Sequence, residues 1–233
     1  QWQGDQFTDY DGLDIESNED TTDHSAFITL VSVINDVTDA PVDTVLDMDM
    51  MARYLALNSL LVNLDSYSGN GHNYYIYEVD GVFTPIPWDL NEAFGNFNCG
   101  CSRDGIINLL IDDPTCDAMA GKPMVLKLLE DDGYRAQYHA HLAEFIGDGG
   151  PFSAETMVEA IHAAADLIRP YVEADTEKFF STAQFETGLT DDITSGGGPG
   201  GGTTIGLRTF VIERIAAIAA QLDGSAASSA NGD

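Results

Sequence analysis

Three oxygen-bearing side chains, Asp65, Asn73 and Asp89, bracket a segment whose composition reads as a β-hairpin. Asn73-Tyr74-Tyr75-Ile76-Tyr77-Glu78-Val79 is rich in aromatic and β-branched residues, and Asp80-Gly81 is a type I′ turn signal. Val82-Phe83-Thr84-Pro85-Ile86-Pro87 is the return strand, with prolines that mark an edge or a strand end. Two strands of similar length bring their open ends together. Asp65 and Asn73, before or at the start of the first strand, then cluster with Asp89, just after the end of the second. Carboxylate and amide oxygens, with part of the coordination left to water or phosphate, suit a hard cation such as Mg²⁺. The same order of parts serves phosphoryl transfer: one Asp orients the attacking hydroxyl, an Asn holds metal, and an Asp beyond the hairpin binds metal that bridges phosphates. Asp and Asn are also ordinary turn and cap residues, which is the competing reading of the same spacing.

The elements that must position these residues are mostly helical. Phe27, Ile28, Leu30, Val31 and Ile34 recur at helical spacing from Ser25, and a second helix is expected over 38–46. Asp47 reads as the N-cap of a stronger, centrally buried helix carrying Met50, Met51, Tyr54, Leu55, Leu57, Leu60 and Leu61. A polar loop over 63–72 leads into the hairpin. Beyond Asp89 the spacing predicts an irregular loop over 96–118, helices over 122–131, 133–146, 153–169 and 171–180, and a last helix from Ile205 to Leu222. Pro151 and Pro170 separate some of these helices. The sequence reads as one domain over 1–222, α+β and predominantly α-helical. It holds an irregular acidic segment at 1–24 and a Gly-rich loop at 191–204, and a disordered tail follows at 223–233. Gly196–Gly202 lacks the Lys and the preceding strand that a phosphate-binding P-loop needs, and reads as linker.

Charge excludes several partners. Among 233 residues, nine Lys and Arg face 39 Asp and Glu, a formal net charge of -30. Nucleic acid is excluded as a partner, because binding it needs cations to displace counterions from phosphates, and docking on anionic lipid is disfavoured for the same reason. No apolar run is long enough for a membrane span. Asp9, Asp11, Asp14 and Glu16 flank Gly12 but lack the spacing of a twelve-residue calcium loop. Cys99, Cys101 and Cys116 form a C-x-C pair plus one; they lack the fourth ligand of a zinc site and read as one disulfide with a leftover thiol, Cys116 pairing with Cys99 or Cys101. The chain begins at Gln1 with neither initiator Met nor signal peptide, as expected of a processed or excised piece.

Asn63-Leu64-Asp65-Ser66-Tyr67, Gly71-His72-Asn73-Tyr74-Tyr75-Ile76-Tyr77 and Ile86-Pro87-Trp88-Asp89-Leu90-Asn91-Glu92-Ala93-Phe94-Gly95 together closely resemble the signature of the CotH kinase family, atypical secreted or spore-coat-associated kinases. The resemblance extends through Asp14–Asn35 and the helix at 47–62, and reaches Leu207-Arg208-Thr209-Phe210 and Glu213-Arg214. It implies a protein-kinase-like C-lobe with the hairpin between a catalytic and a metal-binding loop. It implies ATP and Mg²⁺ as cofactors, and transfer of phosphate to Ser or Thr of an extracellular or coat protein. Asp65 would be the catalytic-loop Asp. Asp89 and Asn73 would hold the metal and its nucleotide, with Asn70 a rival whose offset from Asp65 matches the usual catalytic loop. His72 orients the loop or is a plain surface or capping residue, and Trp88 and Tyr75 pack the hairpin rather than the nucleotide.

The chain departs from the kinase pattern where cations are needed. No Lys precedes Lys122, the only basic residue ahead of Asp65 is Arg53, and no Gly-rich strand–turn–strand opens the sequence. Glu16 also stands where a basic residue is expected. The departure implies a chain that works with a missing N-lobe, carried on a separate fragment. The alternative is a non-catalytic structural or interaction subunit of an extracellular or cell-surface assembly, with an acidic surface that binds Ca²⁺.

Overall fold

Asp47 starts the element on which the rest is assembled. Its carboxylate accepts the Met50 N–H at 3.0 Å, and the helix α2 (Met48–Leu60) follows, with Met51, Ala52, Leu55 and Ala56 wholly buried. In the computed structural model, which describes residues 1–195 and 202–230, α2 is surrounded. Against it pack the hairpin strand β2 (Val82–Pro87), α4 (Pro123–Glu130), α5 (Asp132–Ile146) and α8 (Leu207–Leu222). The other elements are α1 (Ser25–Ile34), the first hairpin strand β1 (Tyr74–Val79), α3 (Arg103–Ile107), α6 (Ala154–Ala174), α7 (Thr182–Gly188) and a small pair, β3 (Ile193–Ser195) and β4 (Gly202–Thr204). About half the chain is helical, with two small antiparallel sheets, an α+β architecture.

Two apolar clusters form, one along α2 and the other from its C-cap onward. One joins α1, α2, α4 and α5 through Leu30, Leu46, Met51, Leu55, Val125, Leu128 and Tyr138. The other gathers Leu61, Val62, Leu64, Ile106, Ile107 and Phe210 directly beneath the loop that carries Asp65. Arg214 on α8 lies between the ends of α2 and α3 and is fully buried. Its guanidinium donates to the carbonyls of Ile107, Leu109 and Ser59 at 3.0, 2.7 and 2.8 Å, and no carboxylate faces it among the described residues. Burial without a counter-ion pulls its pKa down to about 10.

Several expectations are corrected. The stretch 38–46 is not a helix: it holds only a 3₁₀ turn at Val42–Thr44. Thr38, Val42, Thr44 and Val45 are β-branched, and Pro41 turns the residue before it away from helical geometry. The backbone there pairs with the hairpin instead. Phe83 N–H donates to Val45 O and Asp47 N–H to Phe83 O, both at 2.9 Å. Pro170 does not break α6, so the helix expected over 153–169 runs on to Ala174: the ring removes one N–H from the ladder, and the carbonyl this frees, that of Asp166, belongs to an exposed residue; Arg169 beside it pairs with Asp166 and with Glu186 of α7, at 2.6 Å from Glu186 Oε1. The loop at 96–118 contains α3, capped by Ser102. The 223–233 tail folds back: Asp112 N–H donates to Ser228 O at 2.9 Å and Ser228 is buried. The core of the Gly-rich loop, 196–201, lies outside the described residues, as does 231–233; the loop's flanks pair as β3 and β4. The 1–24 segment is irregular as expected, apart from a 3₁₀ turn at Phe7–Asp9. Phe7 and Tyr10 dock it edge-on against Phe27 of α1.

Candidate functional site

α2 ends abruptly at the site. Leu61 is its C-cap, and Val62 follows in the left-handed region at φ 46°. A β-branched residue there is unfavourable by roughly 1–2 kcal/mol. Its side chain is wholly buried in the second apolar cluster, and Phe94 N–H donates to Leu61 O at 2.7 Å, so packing holds the bend. The backbone then closes on itself. Asn63 N–H donates to Asn58 O at 2.9 Å, Asn70 N–H to Leu64 O at 3.0 Å, and Gly71 N–H to Ser66 O at 2.9 Å. The buried Ser66 hydroxyl donates to Asn63 O at 2.7 Å. Gly69 lies so close beneath Leu64 that a Cβ at 69 would collide with the Leu64 carbonyl.

This winding presents Asp65, half-buried, to two amides. Asn70 Nδ2 donates to Asp65 Oδ1 at 2.8 Å. Asn73 Nδ2 donates to Asp65 Oδ2 at 2.7 Å and to the Asp65 carbonyl at 3.0 Å. Both carboxylate oxygens are thereby held in one orientation. The two Asn differ in what remains. Asn70 Oδ1 accepts the His72 backbone N–H at 3.2 Å, whereas Asn73 Oδ1 accepts no hydrogen bond among the described residues. His72 is exposed and contributes to the turn through its backbone N–H.

The hairpin delivers Asp89 to the same end. β1 and β2 pair with Tyr74 opposite Pro87 and Val79 opposite Val82, and Asp80 and Gly81 both take positive φ as the I′ turn requires. Asn73 and Trp88 therefore extend the register by one, and Asp89 lies one residue further. The Trp88 ring meets Tyr75 edge-on at 5.0 Å, so both pack the hairpin as expected. Asp89 takes φ 49° at the head of a 3₁₀ turn, Leu90–Glu92, and makes no capping bond. Its exposed carboxylate meets neither donor nor cation among the described residues. Asp65, Asn70 and Asn73 are thus bonded together at the open end of the hairpin, and the register puts the backbone of Asp89 at the same end.

Two features of the surroundings escaped the sequence reading. The segment 116–124 wraps the Asp65 turn: Cys116 Sγ lies 3.7 Å from Leu64 O, and Met124 N–H donates to the Tyr67 hydroxyl at 3.1 Å. Burial pushes the Tyr67 phenol well above its ordinary pKa, so it stays a neutral hydroxyl. Lys122 in this segment is buried, with Nζ beside Gly71. A lysine N-terminal to Pro123 reads as a helix start, and nothing in the spacing pointed it at residue 71. The disulfide joins Cys99 to Cys116, Cα atoms 5.8 Å apart, and leaves Cys101 exposed and free. Arg53, the only basic residue ahead of Asp65, is bound to Asp49 at 3.0 Å on α2. No three His, Cys, Asp or Glu side chains among the described residues form a metal-holding group, so the acids around Gly12 do not gather into one. No helix among those residues is long and apolar enough to cross a membrane.

Comparison with known proteins found one family and nothing finer. Neither a search of curated proteins nor a search of solved structures gave a match. The family model described as CotH kinase protein matches residues 1–191, which contain every candidate site residue. The resemblance read at Leu207–Arg214 lies beyond that match. With most of its length so matched, the chain belongs to the CotH kinase family.

Proposed function

We propose that the chain is the acceptor-side part of a CotH-type protein kinase, built like a kinase C-lobe, that transfers phosphate from ATP to Ser or Thr of an extracellular protein. The observation that carries this reading is the carboxylate of Asp65, fixed by two amides while Asn73 Oδ1 and the Asp89 carboxylate stand unclaimed at the same end of the hairpin. In this reading Asp65 accepts a hydrogen bond from a substrate hydroxyl and orients it for attack. Asn73 and Asp89 are hard-oxygen donors with free lone pairs, a set that fits Mg²⁺ with waters or phosphate completing its shell. That ion, when bound with ATP, would offset the charge on the phosphates. Asn70 serves as a clamp, its amide used on both sides. The disulfide supports an extracellular setting.

A second reading, a non-catalytic subunit of an extracellular assembly, is favoured by one observation. The described residues carry no β-rich lobe and no cation ahead of Asp65 except the already paired Arg53. An N-lobe on a separate fragment would reconcile the two. The deciding experiment measures phosphate transfer from γ-labelled ATP with Mg²⁺ to a mixture of secreted proteins, using natively purified material and its Asp65→Asn variant. Label incorporated by the wild type and lost in the variant supports the kinase. Equal incorporation by both, or none by either, gives the non-catalytic reading.

A further inference from the structure

Lys122 is an ammonium in an unfavourable place. Its side chain is only 7% exposed, and its one ionic partner is Asp117 Oδ1 at 3.4 Å, a carboxylate that is itself 64% exposed. It stands at the N-terminus of the eight-residue helix α4, where the helix dipole already contributes positive charge. Burial and the dipole both disfavour a cation here. Three ammonium donors face a single long contact.

What the ammonium faces is the Asp65 turn. Gly71 has φ +87°, and a Cβ built there would lie 3.5 Å from Lys122 Nζ. Apart from the chain neighbours of Gly71, Nζ is the one atom of the described residues within 4 Å of that position. Asn70, bonded to Asp65, precedes Gly71, and Asn73 stands two residues beyond it. The Met124 N–H to Tyr67 hydroxyl bond fixes the same corner of α4 to the same turn.

We propose that Lys122 and Gly71 form an anion site at the edge of the Asp65 turn, taking a phosphate oxygen of a divalent-metal-complexed polyphosphate. This inference rests on the phosphoryl-transfer reading of Asp65 and Asp89 for its ligand class. A simple monoanion is repelled by Asp65 and by a chain of net charge -30. A polyphosphate that brings its own divalent cation is neutralised enough to approach, and an ammonium binds it as a point charge. Lys122 thereby supplies from this part of the molecule the cation missing ahead of Asp65.

The chain has three lysines, at 122, 127 and 178, so an amine-reactive label read by mass spectrometry reports on each separately. Lys127 is engaged by Asp36 at 2.6 Å and Lys178 bonds the Asp175 carbonyl at 2.7 Å; they are internal controls. Inorganic tripolyphosphate with Mg²⁺ is expected to slow labelling of Lys122 and leave Lys127 and Lys178 unchanged. Lys122→Met is expected to weaken tripolyphosphate binding by calorimetry about 10-fold or more, with Lys122→Arg retaining most of it. Absence of tripolyphosphate binding, equal protection of all three lysines, or an unchanged affinity in Lys122→Met overturns the proposal. Where Lys122→Met does not fold, the wild-type labelling decides alone. Phosphate transfer is scored separately. Lys122-dependent binding without transfer sinks the kinase reading and keeps the anion site; Asp65-dependent transfer with Lys122-independent binding does the reverse.

Discussion

Asp65 and Asp89 stand at the same end of one hairpin and are held in opposite ways. Asp65 follows a strained helix end, is half-buried, and has both carboxylate oxygens bonded to side-chain amides. Asp89 opens a 3₁₀ turn on the surface and its carboxylate is bonded to nothing among the described residues. A group that must accept a proton or orient a hydroxyl gains from being fixed before the substrate arrives. A group that must hold a cation gains from keeping its lone pairs free until the cation does. The difference in their surroundings matches the two tasks that the proposed function assigns them.

The comparison predicts that the two acids fail differently. Asp89→Ala should reduce phosphate transfer by about 10³-fold, as loss of a metal-bound charge does, and leave the urea midpoint unchanged. Asp65→Ala should reduce transfer by about 10²–10⁴-fold and also destabilise by about 1–3 kcal/mol, because Asn70 and Asn73 lose their acceptor. Equal stability losses in both variants would erase the distinction. Arg214→Ala tests the support under the strained turn. It takes the guanidinium bonds away from the carbonyls of Ile107, Leu109 and Ser59, the last at the end of α2, and should cost about 3–5 kcal/mol in chemical unfolding.

The disulfide joins the two regions, because Cys99 follows the Asp89 turn and Cys116 lies under Leu64. Cys99→Ser with Cys116→Ser should lower stability by about 3 kcal/mol through the 17-residue separation it closes, and should lower phosphate transfer beyond what the stability loss explains. Unchanged activity in that double variant would mean the two turns are positioned independently. The smallest effect is expected away from the site. His139 and Ser228 bond Asp112, and although burial opposes them they hold its carboxyl below the usual range. Its contribution is therefore full above the unfolded value of about 4 and is lost as pH falls through the folded pKa. The stability gap between wild type and Asp112→Asn, read from urea midpoints, should shrink as pH falls below about 4.

Much of this was legible from the residues. Asp47 announced α2, and Asp80-Gly81 set the hairpin register, which puts Asn73 and Asp89 at one end of the hairpin. Four features were not legible. Residues 38–46 follow a long-range pairing with Phe83 that local spacing cannot show. Pro170 stands inside α6 with the carbonyl it frees on the exposed Asp166, and which turn of a helix is exposed depends on packing that local spacing does not show. The offset from Asp65 favoured Asn70 while the resemblance favoured Asn73; the bond from His72 N–H to Asn70 Oδ1, which leaves only the Asn73 oxygen unclaimed, is a feature of the folded turn. The placement of Lys122 beside Gly71 joins residues 51 positions apart, and no periodicity carries that.

Gly69 gives the motif a grammar of its own. A chain can carry Asp, Asn and Asp at the right offsets by chance, since all three are common turn residues. It cannot wind the loop as this one does with a side chain at the position of Gly69, because the Leu64 carbonyl occupies the place of its Cβ. Glycine at that position, four residues after the acid, therefore works as punctuation. A related sequence that keeps the three acidic and amide letters but has lost this glycine spells the motif without being able to pronounce it, and its Asp should be expected to point elsewhere.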